Sequence, residues 1–274
     1  MEAELSAQQL RAYLDRLGIG RAERPSLPFL TRLQRRHMLR VPFENLDIFW
    51  GNPIPLDVER ALSKVVERRR GGFCYELNAL FAAALSTLGF QVSLLSARVW
   101  RKGERAWGPE FDHLTLGVTL DQTYLVEVGF GESFRSPMPL SPAVHSDISG
   151  RYRLAQVEWP DELVLEHGVR DHWRPLYRVS RQPRPLEAFA GMNTWHQTSP
   201  TSPFTGQAVF TLARSWGRLT LTDRHLIETR RGRIYRARLA PGELERRLRR
   251  IHGVTGPLGP VGTTLAAPPL TPRA

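Results

Sequence analysis

Cysteine is almost absent from this sequence, which has one in 274 residues. A single cysteine excludes an internal disulfide, and the sequence has no CxxC pair, histidine cluster or HExxH string that would predict a metal site. No stretch approaches the roughly 18 consecutive apolar residues of a membrane-spanning helix, and the acidic start MEAELSAQQL is not typical of a signal peptide. The sequence therefore predicts a cytoplasmic protein without a metal or a membrane segment.

Lysine is also scarce, since Lys64 and Lys102 are the only lysines among 38 basic residues in a chain of net charge +11. Arginine clusters at 32–40, 66–72 and 244–253 are candidates for contacts with a polyanion. No recognisable DNA- or RNA-binding module surrounds these clusters, and the bias towards arginine is explained as well by genome composition. We therefore predict no nucleic-acid partner.

The lone cysteine, Cys74, follows a glycine turn and begins the apolar helical pattern CYELNALFAAALSTLGF. Unpaired N–H groups and the positive end of the dipole at a helix start both stabilise a thiolate, and arginines 68–70 add positive potential. Gly71 and Gly72 leave room for another backbone or a ligand to approach. The alternative is a small buried hydrophobic residue, but this setting favours a nucleophile.

A nucleophilic cysteine needs a base and a group that orients the base. Among eight histidines, His113 begins the alternating pattern HLTLGVTL, and the following pattern TYLVEVGFG predicts the second strand of a hairpin. A three-residue loop over 120–122 makes Glu127 the diagonal neighbour of His113, whereas a two-residue loop turns Glu127 to the opposite face. We predict the three-residue loop or an equivalent bulge. Asp112 is a weaker candidate because adjacent strand residues point to opposite faces, and a satisfied core histidine is the alternative for His113.

These residues lie in blocks in which the sequence resembles the arylamine N-acetyltransferase family. The blocks, in family order, are VPFENLDI, RRGGFCYELN, the His113 strand, LVEVGFGE, MNTWHQTSPTSPF and GRLTLTDRHLIETRRGRIYRARL. The resemblance implies that Cys74 is the nucleophile, His113 the base and Glu127 the orienting carboxylate. Glu127 departs from the family pattern VDVGFG, so a stem one methylene longer must be absorbed by the backbone or the rotamer.

The resemblance also implies the reaction and its ligands. Acetyl-CoA is the expected co-substrate and an aromatic amine, hydrazine or hydroxylamine the expected acceptor, with an acetyl-cysteine intermediate and no metal. Gly129 and Gly131 are expected beside CoA, and Phe130 and Phe204 in the acceptor pocket. We expect a monomer or a small homo-oligomer.

Three further motif residues are expected to have structural roles. Glu44 of VPFENL and Arg70 of the nucleophile turn match an ion pair of the family, and His196 matches part of an aromatic-histidine pair. Deleting one partner of such an ion pair leaves an uncompensated charge.

Other functions remain compatible with a cysteine, histidine and carboxylate set. A cysteine protease or a transglutaminase uses the same set, but leaves the resemblance in SPTSPF and VGFG unexplained. A related acyltransferase or amide synthase would use another acyl donor. A catalytically silent homologue would keep the fold and bind ligand only.

The patterns divide the chain into three regions of a mixed α+β fold. Residues 1–90 predict a helical bundle that carries the nucleophile, and 91–205 an antiparallel β-barrel that carries base and orienter, followed by a connecting helix. Residues 206–274 predict a sheet-and-helix lid that ends in an extended tail rich in proline and glycine from Val254. The resemblance implies a cysteine-protease-like catalytic core.

Overall fold

The computed structural model describes residues 4–230, 232–254 and 259. Its first region is helical, as predicted, with α1 (Ala7–Leu17), α2 (Leu27–Arg40), α3 (Leu46–Phe49), α4 (Val58–Val66) and α5 (Cys74–Thr87). Polar side chains cap three of these helices: Ser6, Ser26 and Asp57 accept hydrogen bonds from the first-turn N–H groups of α1, α2 and α4. The short helix α3 carries no pattern long enough to predict it from sequence.

Helix α5 is the centre of this region. Every side chain from Cys74 to Leu85 is buried, which explains why the helix is apolar on all faces. It packs into a core shared with the other long helices and with Leu114, Leu116 and Val118 of the first hairpin strand. The nucleophile candidate is therefore fixed to the most buried element of the chain.

The second region is a nearly closed antiparallel barrel. Its strands are β2 (Gln91–Arg101), β3 (Ala106–Trp107), β4 (His113–Thr119), β5 (Thr123–Val126), β6 (Met138–Pro139), β7 (Ala143–Asp147), β8 (Gly150–Gln156), β9 (Glu162–Val169) and β10 (His172–Pro183). They pair in the order β6-β5-β4-β2-β10-β9-β8-β7, with β3 on β2. Alternation along the strands gives the barrel its own core, which includes Leu95, Leu125 and Tyr177.

The third region contains the predicted meander and closing helix. After a 3₁₀ turn (Leu186–Phe189) and the connecting helix α6 (Ala190–Thr198) come β11 (Val209–Arg214), β12 (Gly217–Thr222), β13 (His225–Arg230), β14 (Arg233–Arg238) and α7 (Glu243–His252). Leu244 and Leu248 of α7 pack against Leu212 and Leu221 on one face of this sheet. The α+β class predicted from the sequence is confirmed.

One strand of this sheet comes from the first region. Strand β1 (Phe43–Glu44) pairs antiparallel with β11, Phe43 opposite Thr211 and Glu44 opposite Phe210. A strand of two residues is too short to show the alternation of apolar and polar residues that predicts a strand, so the sequence did not predict β1. The pairing brings the VPFENL segment to the third region.

The sequence also predicted the absence of a membrane-spanning helix and an extended C-terminal tail. No helix within the described ranges is long and apolar enough to cross a bilayer. The predicted extended tail lies outside the described residues, apart from Val254 and Gly259.

Candidate active site

Cys74 is the first residue of α5 and is 3% exposed. The Glu76 carboxylate accepts a hydrogen bond from the Phe73 N–H at 3.1 Å, which satisfies one of the free donors at this helix start. Gly71 precedes the helix at a point where a Cβ atom would lie 1.9 Å from the Pro42 carbonyl oxygen. The glycine turn therefore lets the VPFENL segment pack directly against the start of the nucleophile helix.

The hairpin has the predicted register. Thr119 pairs with Thr123, so the loop between β4 and β5 contains three residues, and the prediction of an odd-length loop is confirmed. Glu127 follows β5 directly, and its Oε2 atom lies 2.6 Å from His113 Nε2. Asp112 is not the partner of His113, because its side chain and carbonyl group contact His196.

Glu127 is fully buried, and each of its carboxylate oxygens has two donors. Oε1 accepts from Asn78 Nδ2 at 2.9 Å and from the Gly129 N–H at 2.7 Å. Oε2 faces His113 Nε2 and, at 3.4 Å, the Tyr177 hydroxyl group. The longer stem of glutamate is thus accommodated by a fixed hydrogen-bond cage, in which His113 Nε2 is committed to Oε2 and Nδ1 is left for Cys74.

Electrostatics favour a charged His113. Burial disfavours the imidazolium, but the Glu127 carboxylate and a hydrogen bond to Cys74 outweigh burial and raise the pKa of His113 to about 10. Burial likewise raises the pKa of Glu127, but the His113 charge and the hydrogen bonds from Asn78 and Gly129 outweigh it and leave that pKa below its usual value. The two groups therefore form an ion pair when His113 is protonated.

This shift predicts a pH-dependent contribution of His113 to stability. Because its folded-state pKa of about 10 exceeds the ordinary value of 6.5, the contribution is complete below pH 6.5 and is lost as the pH rises towards 10. We expect the Tm difference between the wild type and His113→Gln to be largest near pH 6 and to shrink steadily up to pH 10. Calorimetric scans of both proteins at matched ionic strength measure this difference; a Tm gap that is constant over the range contradicts the assignment.

A buried charge network lies behind the nucleophile helix and contains the expected ion pair. Arg70 donates to both oxygens of Glu44, from Nε at 2.8 Å and from Nη2 at 2.9 Å, so this expectation is confirmed. Arg70 Nη1 also reaches Asp47 at 3.0 Å, and Lys64 Nζ lies 2.7 Å from Asp47 and 2.8 Å from Glu76. The network links β1, α3, α4 and the capping carboxylate of α5.

Removing Arg70 is expected to destabilise the protein strongly. Arg70→Met leaves Glu44 and Asp47 buried without their guanidinium partner, which costs about 3–5 kcal/mol in comparable sites. Arg68, an exposed neighbour, is the matched control, and Arg68→Met should change the unfolding free energy by about 0.5 kcal/mol or less. Urea unfolding of the three proteins gives the comparison, and equal midpoints for both variants would contradict it.

The two glycines after Glu127 differ in what surrounds them. A Cβ atom at Gly129 would lie 2.6 Å from Asn78 Nδ2 and 2.9 Å from Cys74 Cα, so the close approach here is to the nucleophile helix. Gly131 has a φ of 81° and would place a Cβ atom 3.5 Å from Thr211 Cγ2. Glycine is required at Gly131 by its left-handed backbone and at Gly129 by packing.

Phe130 and Phe204 are half-buried and lie on two sides of the site. The Phe130 ring is 5.1 Å from the His113 ring and 5.0 Å from the Tyr177 ring. The Phe204 ring is 6.2 Å from the ring of Phe73, the residue before the nucleophile. Phe130 therefore lies beside the predicted base, and Phe204 lies beside the residue that precedes the predicted nucleophile.

His196 is buried in a second histidine–carboxylate pair, with Asp112. Its Nε2 atom donates to the Asp112 carbonyl oxygen at 3.0 Å and lies 3.3 Å from the Asp112 carboxylate. Its ring is 5.1 Å from that of Phe204. These contacts agree with a structural role, since they tie the segment before His113 to the segment that carries Phe204.

Sequence reasoning missed several residues of the site. Asn78 follows Cys74 by four residues and so lies on the same helix face, a signal that would have found it. Tyr177 reaches Glu127 from β10 across the barrel, which no local pattern shows. Lys64 and Asp47 were missed because their pairing depends on how α3 and α4 pack.

A cysteine at a helix start, a strand-borne histidine and a buried carboxylate define a thiol-dependent enzyme with a cysteine-protease-like core. The N-acetyltransferase family model matches residues 26–255. Arylamine N-acetyltransferase of Mycolicibacterium smegmatis is 36% identical over 233 residues, which cover 82% of this chain and 84% of the relative. Arylamine N-acetyltransferase 1 of Homo sapiens is 33% identical over 223 residues, covering 74% and 77%.

Solved structures agree with the sequence comparison. The Salmonella typhimurium arylamine N-acetyltransferase superposes with a TM-score of 0.85 at 28% identity, covering 92% of each chain. The Mycobacterium marinum enzyme in complex with CoA gives a TM-score of 0.82 at 33% identity, covering 89% of this chain and 92% of the other. The chain belongs to the arylamine N-acetyltransferase family, which decides against the protease and the transglutaminase.

Proposed function

We propose that this protein transfers an acetyl group from acetyl-CoA to an arylamine, arylhydrazine or arylhydroxylamine through an acetyl-Cys74 intermediate. The observation that carries the proposal is the 2.6 Å contact between His113 and Glu127, with a hydrogen bond from the same imidazole to Cys74 at the start of α5. The names of the relatives, and the CoA in one of their structures, support the donor and the acceptor class.

In the first half-reaction, the Cys74 thiolate attacks the thioester carbonyl carbon of acetyl-CoA. His113 holds the thiol proton as an imidazolium, oriented and stabilised by Glu127. When the tetrahedral intermediate collapses, the bond from carbon to the CoA sulfur breaks, and His113 returns the proton to the leaving CoA thiolate. The backbone N–H of Cys74, at the helix start, is the first donor for the oxyanion.

In the second half-reaction, the amine nitrogen attacks the carbonyl carbon of acetyl-Cys74. His113 accepts the proton that the amine loses, and the carbon–sulfur bond breaks to restore the thiolate. Phe130 and Phe204 would hold the aryl ring, because both are partly exposed beside the reacting atoms. We assign Gly131, with Gly129 beside Cys74, to the path of the pantetheine arm.

The proposal also covers location and domain division. The single cysteine agrees with a reducing cytoplasmic compartment. The division near residues 90 and 205 is supported by element bounds, since α5 ends at Thr87 and β2 begins at Gln91, while α6 ends at Thr198 and β11 begins at Val209.

Peptide mass spectrometry after incubation with acetyl-CoA and no amine tests the function. We expect one acetyl group on the Cys74 peptide, absent in Cys74→Ala and discharged when an aromatic amine is added. Absence of the acetyl group at every pH from about 6 to 9 excludes acetyl-CoA as donor; this range spans the ordinary pKa values of histidine and cysteine. The remaining hypotheses would then be an acyltransferase that uses another acyl donor and a homologue that only binds ligand.

A further inference from the structure

Glu76 is a buried carboxylate in the first turn of the nucleophile helix, two residues after Cys74. A Cβ atom at Gly72 would lie 2.7 Å from Glu76 Oε2, so the carboxylate lies against the glycine turn. An acidic side chain at this position interacts favourably with the helix dipole, but it opposes a second negative charge nearby. Glu76 therefore acts against a Cys74 thiolate unless a cation compensates its charge.

Lys64, from α4, supplies that cation. Its Nζ atom lies 2.8 Å from Glu76 Oε1, 3.1 Å from Glu76 Oε2 and 2.7 Å from Asp47 Oδ2. An ammonium group has three N–H donors, and these contacts use all three. Lys64 is only 4% exposed, and among the described residues no other cation forms an ion pair with Glu76. The compensation of Glu76 thus depends on Lys64.

The other charged groups of the network leave no spare positive charge for Glu76. Arg70, in the turn before α5, pairs with Glu44 of β1 and with Asp47 of α3. The network therefore holds three carboxylates and two cations. Acid is in excess, so the loss of Lys64 leaves uncompensated negative charge in the same helix turn as the nucleophile.

The pKa shifts in the network agree with this dependence. Burial raises the pKa of Glu76 above its ordinary value, while the charge and the hydrogen bonds of Lys64 oppose that rise. Burial lowers the pKa of Lys64, but the charges of Glu44, Glu76 and Asp47 outweigh burial and raise that pKa above its ordinary value. Lys64 therefore stays charged over the pH range in which carboxyl and thiol groups ionise.

The groups that act on Cys74 from its other neighbours do not replace Lys64. His113, from β4, forms a hydrogen bond with Cys74 and an ion pair with Glu127, which balances its charge. Tyr75 lies between Cys74 and Glu76 in the chain, and burial raises the pKa of its hydroxyl group, so it is neutral. A change in the charge of Glu76 is therefore left to act on Cys74.

We propose that Lys64 is a positioning residue for the nucleophile: by holding and neutralising Glu76, it keeps a negative charge at the start of α5 from opposing the Cys74 thiolate. This inference rests on the proposed role of Cys74 in acetyl transfer, but it concerns the thiol before any acyl donor binds. It can therefore be tested without acetyl-CoA.

The test is the pH dependence of Cys74 alkylation by iodoacetamide, followed by mass spectrometry from about pH 5 to 10, because the thiolate is the reacting form. Lys64→Met adds one negative charge to the network. We expect it to raise the midpoint of the profile by about one pH unit, which slows alkylation below the midpoint about tenfold. Lys102→Met is the matched control, since Lys102 is the other lysine and is exposed. It should leave the midpoint unchanged.

Glu76→Gln tests the same charge with the opposite sign. Glutamine keeps an oxygen that can accept the Phe73 N–H, but removes one negative charge from the network. We expect its midpoint to be lower than that of the wild type. The double variant Lys64→Met/Glu76→Gln restores the wild-type charge of the network, so its midpoint should return close to the wild-type value.

Opposite shifts in the two single variants and recovery in the double variant support the proposal. Unchanged midpoints overturn it, as do shifts in the same direction without recovery, which a merely structural role of Lys64 predicts. If Lys64→Met does not fold, Glu76→Gln and the double variant still isolate Lys64: a higher midpoint in the double variant supports the proposal, and equal midpoints overturn it.

The proposed function is judged separately, by acetylation of the wild type with acetyl-CoA. If these shifts occur but Cys74 takes up no acetyl group, the acetyl transfer is wrong and the action of Lys64 on the thiol stands. If Cys74 is acetylated but the midpoints do not move, the reverse holds.

Discussion

Replacing Glu127 with glutamine is expected to slow acetylation of Cys74 by about 10⁴-fold, the loss seen when an orienting carboxylate becomes an amide. Oε1 has two donors, Asn78 and the Gly129 N–H, so the amide oxygen must take this position. The NH₂ group then faces His113 Nε2 and donates to it. That forces the proton onto Nδ1, the nitrogen that must accept the proton from Cys74.

The variant Glu127→Asp tests the position of the carboxylate separately from its charge. Glu127→Asp keeps the carboxylate but shortens its stem, so it cannot reach His113 and the cage donors together. We expect a fall of about tenfold to a hundredfold, because a misplacement of about 1 Å has an effect of this size. Single-turnover mass spectrometry of the Cys74 peptide measures all three proteins. A gain of activity in Glu127→Asp from an inactive wild type would instead identify a silent homologue.

Replacing Gly129 with alanine is expected to reduce activity by about a hundredfold or more. The added methyl group would lie 2.9 Å from Cys74 Cα and 3.0 Å from the Cys74 carbonyl oxygen, so the start of α5 and the Glu127 loop must separate. That movement breaks the hydrogen bond between the Gly129 N–H and Glu127. The nucleophile and the orienting group are thus displaced together.

Gly206→Ala is the control for this variant. Gly206 lies close in sequence to Phe204, but a Cβ atom there meets nothing within 4 Å. Its kcat/KM and Tm should match those of the wild type. If Gly129→Ala also keeps the wild-type kcat/KM, the close contact between Gly129 and Cys74 is not needed for activity.

The register of the His113 hairpin could be predicted from the sequence because only two registers were possible. Strand period and loop length left two registers, and only one put Glu127 beside His113. The structure has that register and the resulting hydrogen bond. The distinction from Asp112 followed from the same alternation, because neighbouring strand residues face opposite ways.

The hydrogen-bond donors around Glu127 could not all be predicted from the sequence. Tyr177 comes from β10, and β10 meets β4 only through β2 and the curvature of the barrel. The change from aspartate to glutamate could be judged only once these donors were placed. The same holds for Gly129, whose neighbour proved to be the Cys74 backbone.

By itself, the sequence determined the nucleophile helix, the His113 hairpin, the family and the ion pair between Glu44 and Arg70. These rest on periodicity, on short-range spacing and on motif resemblance, which a linear chain carries directly. Tertiary structure alone decided the donors to Glu127 and the partners of Lys64. Each of these depends on distant segments meeting in a low-dielectric interior, where the presence or absence of a partner sets the state of a charge.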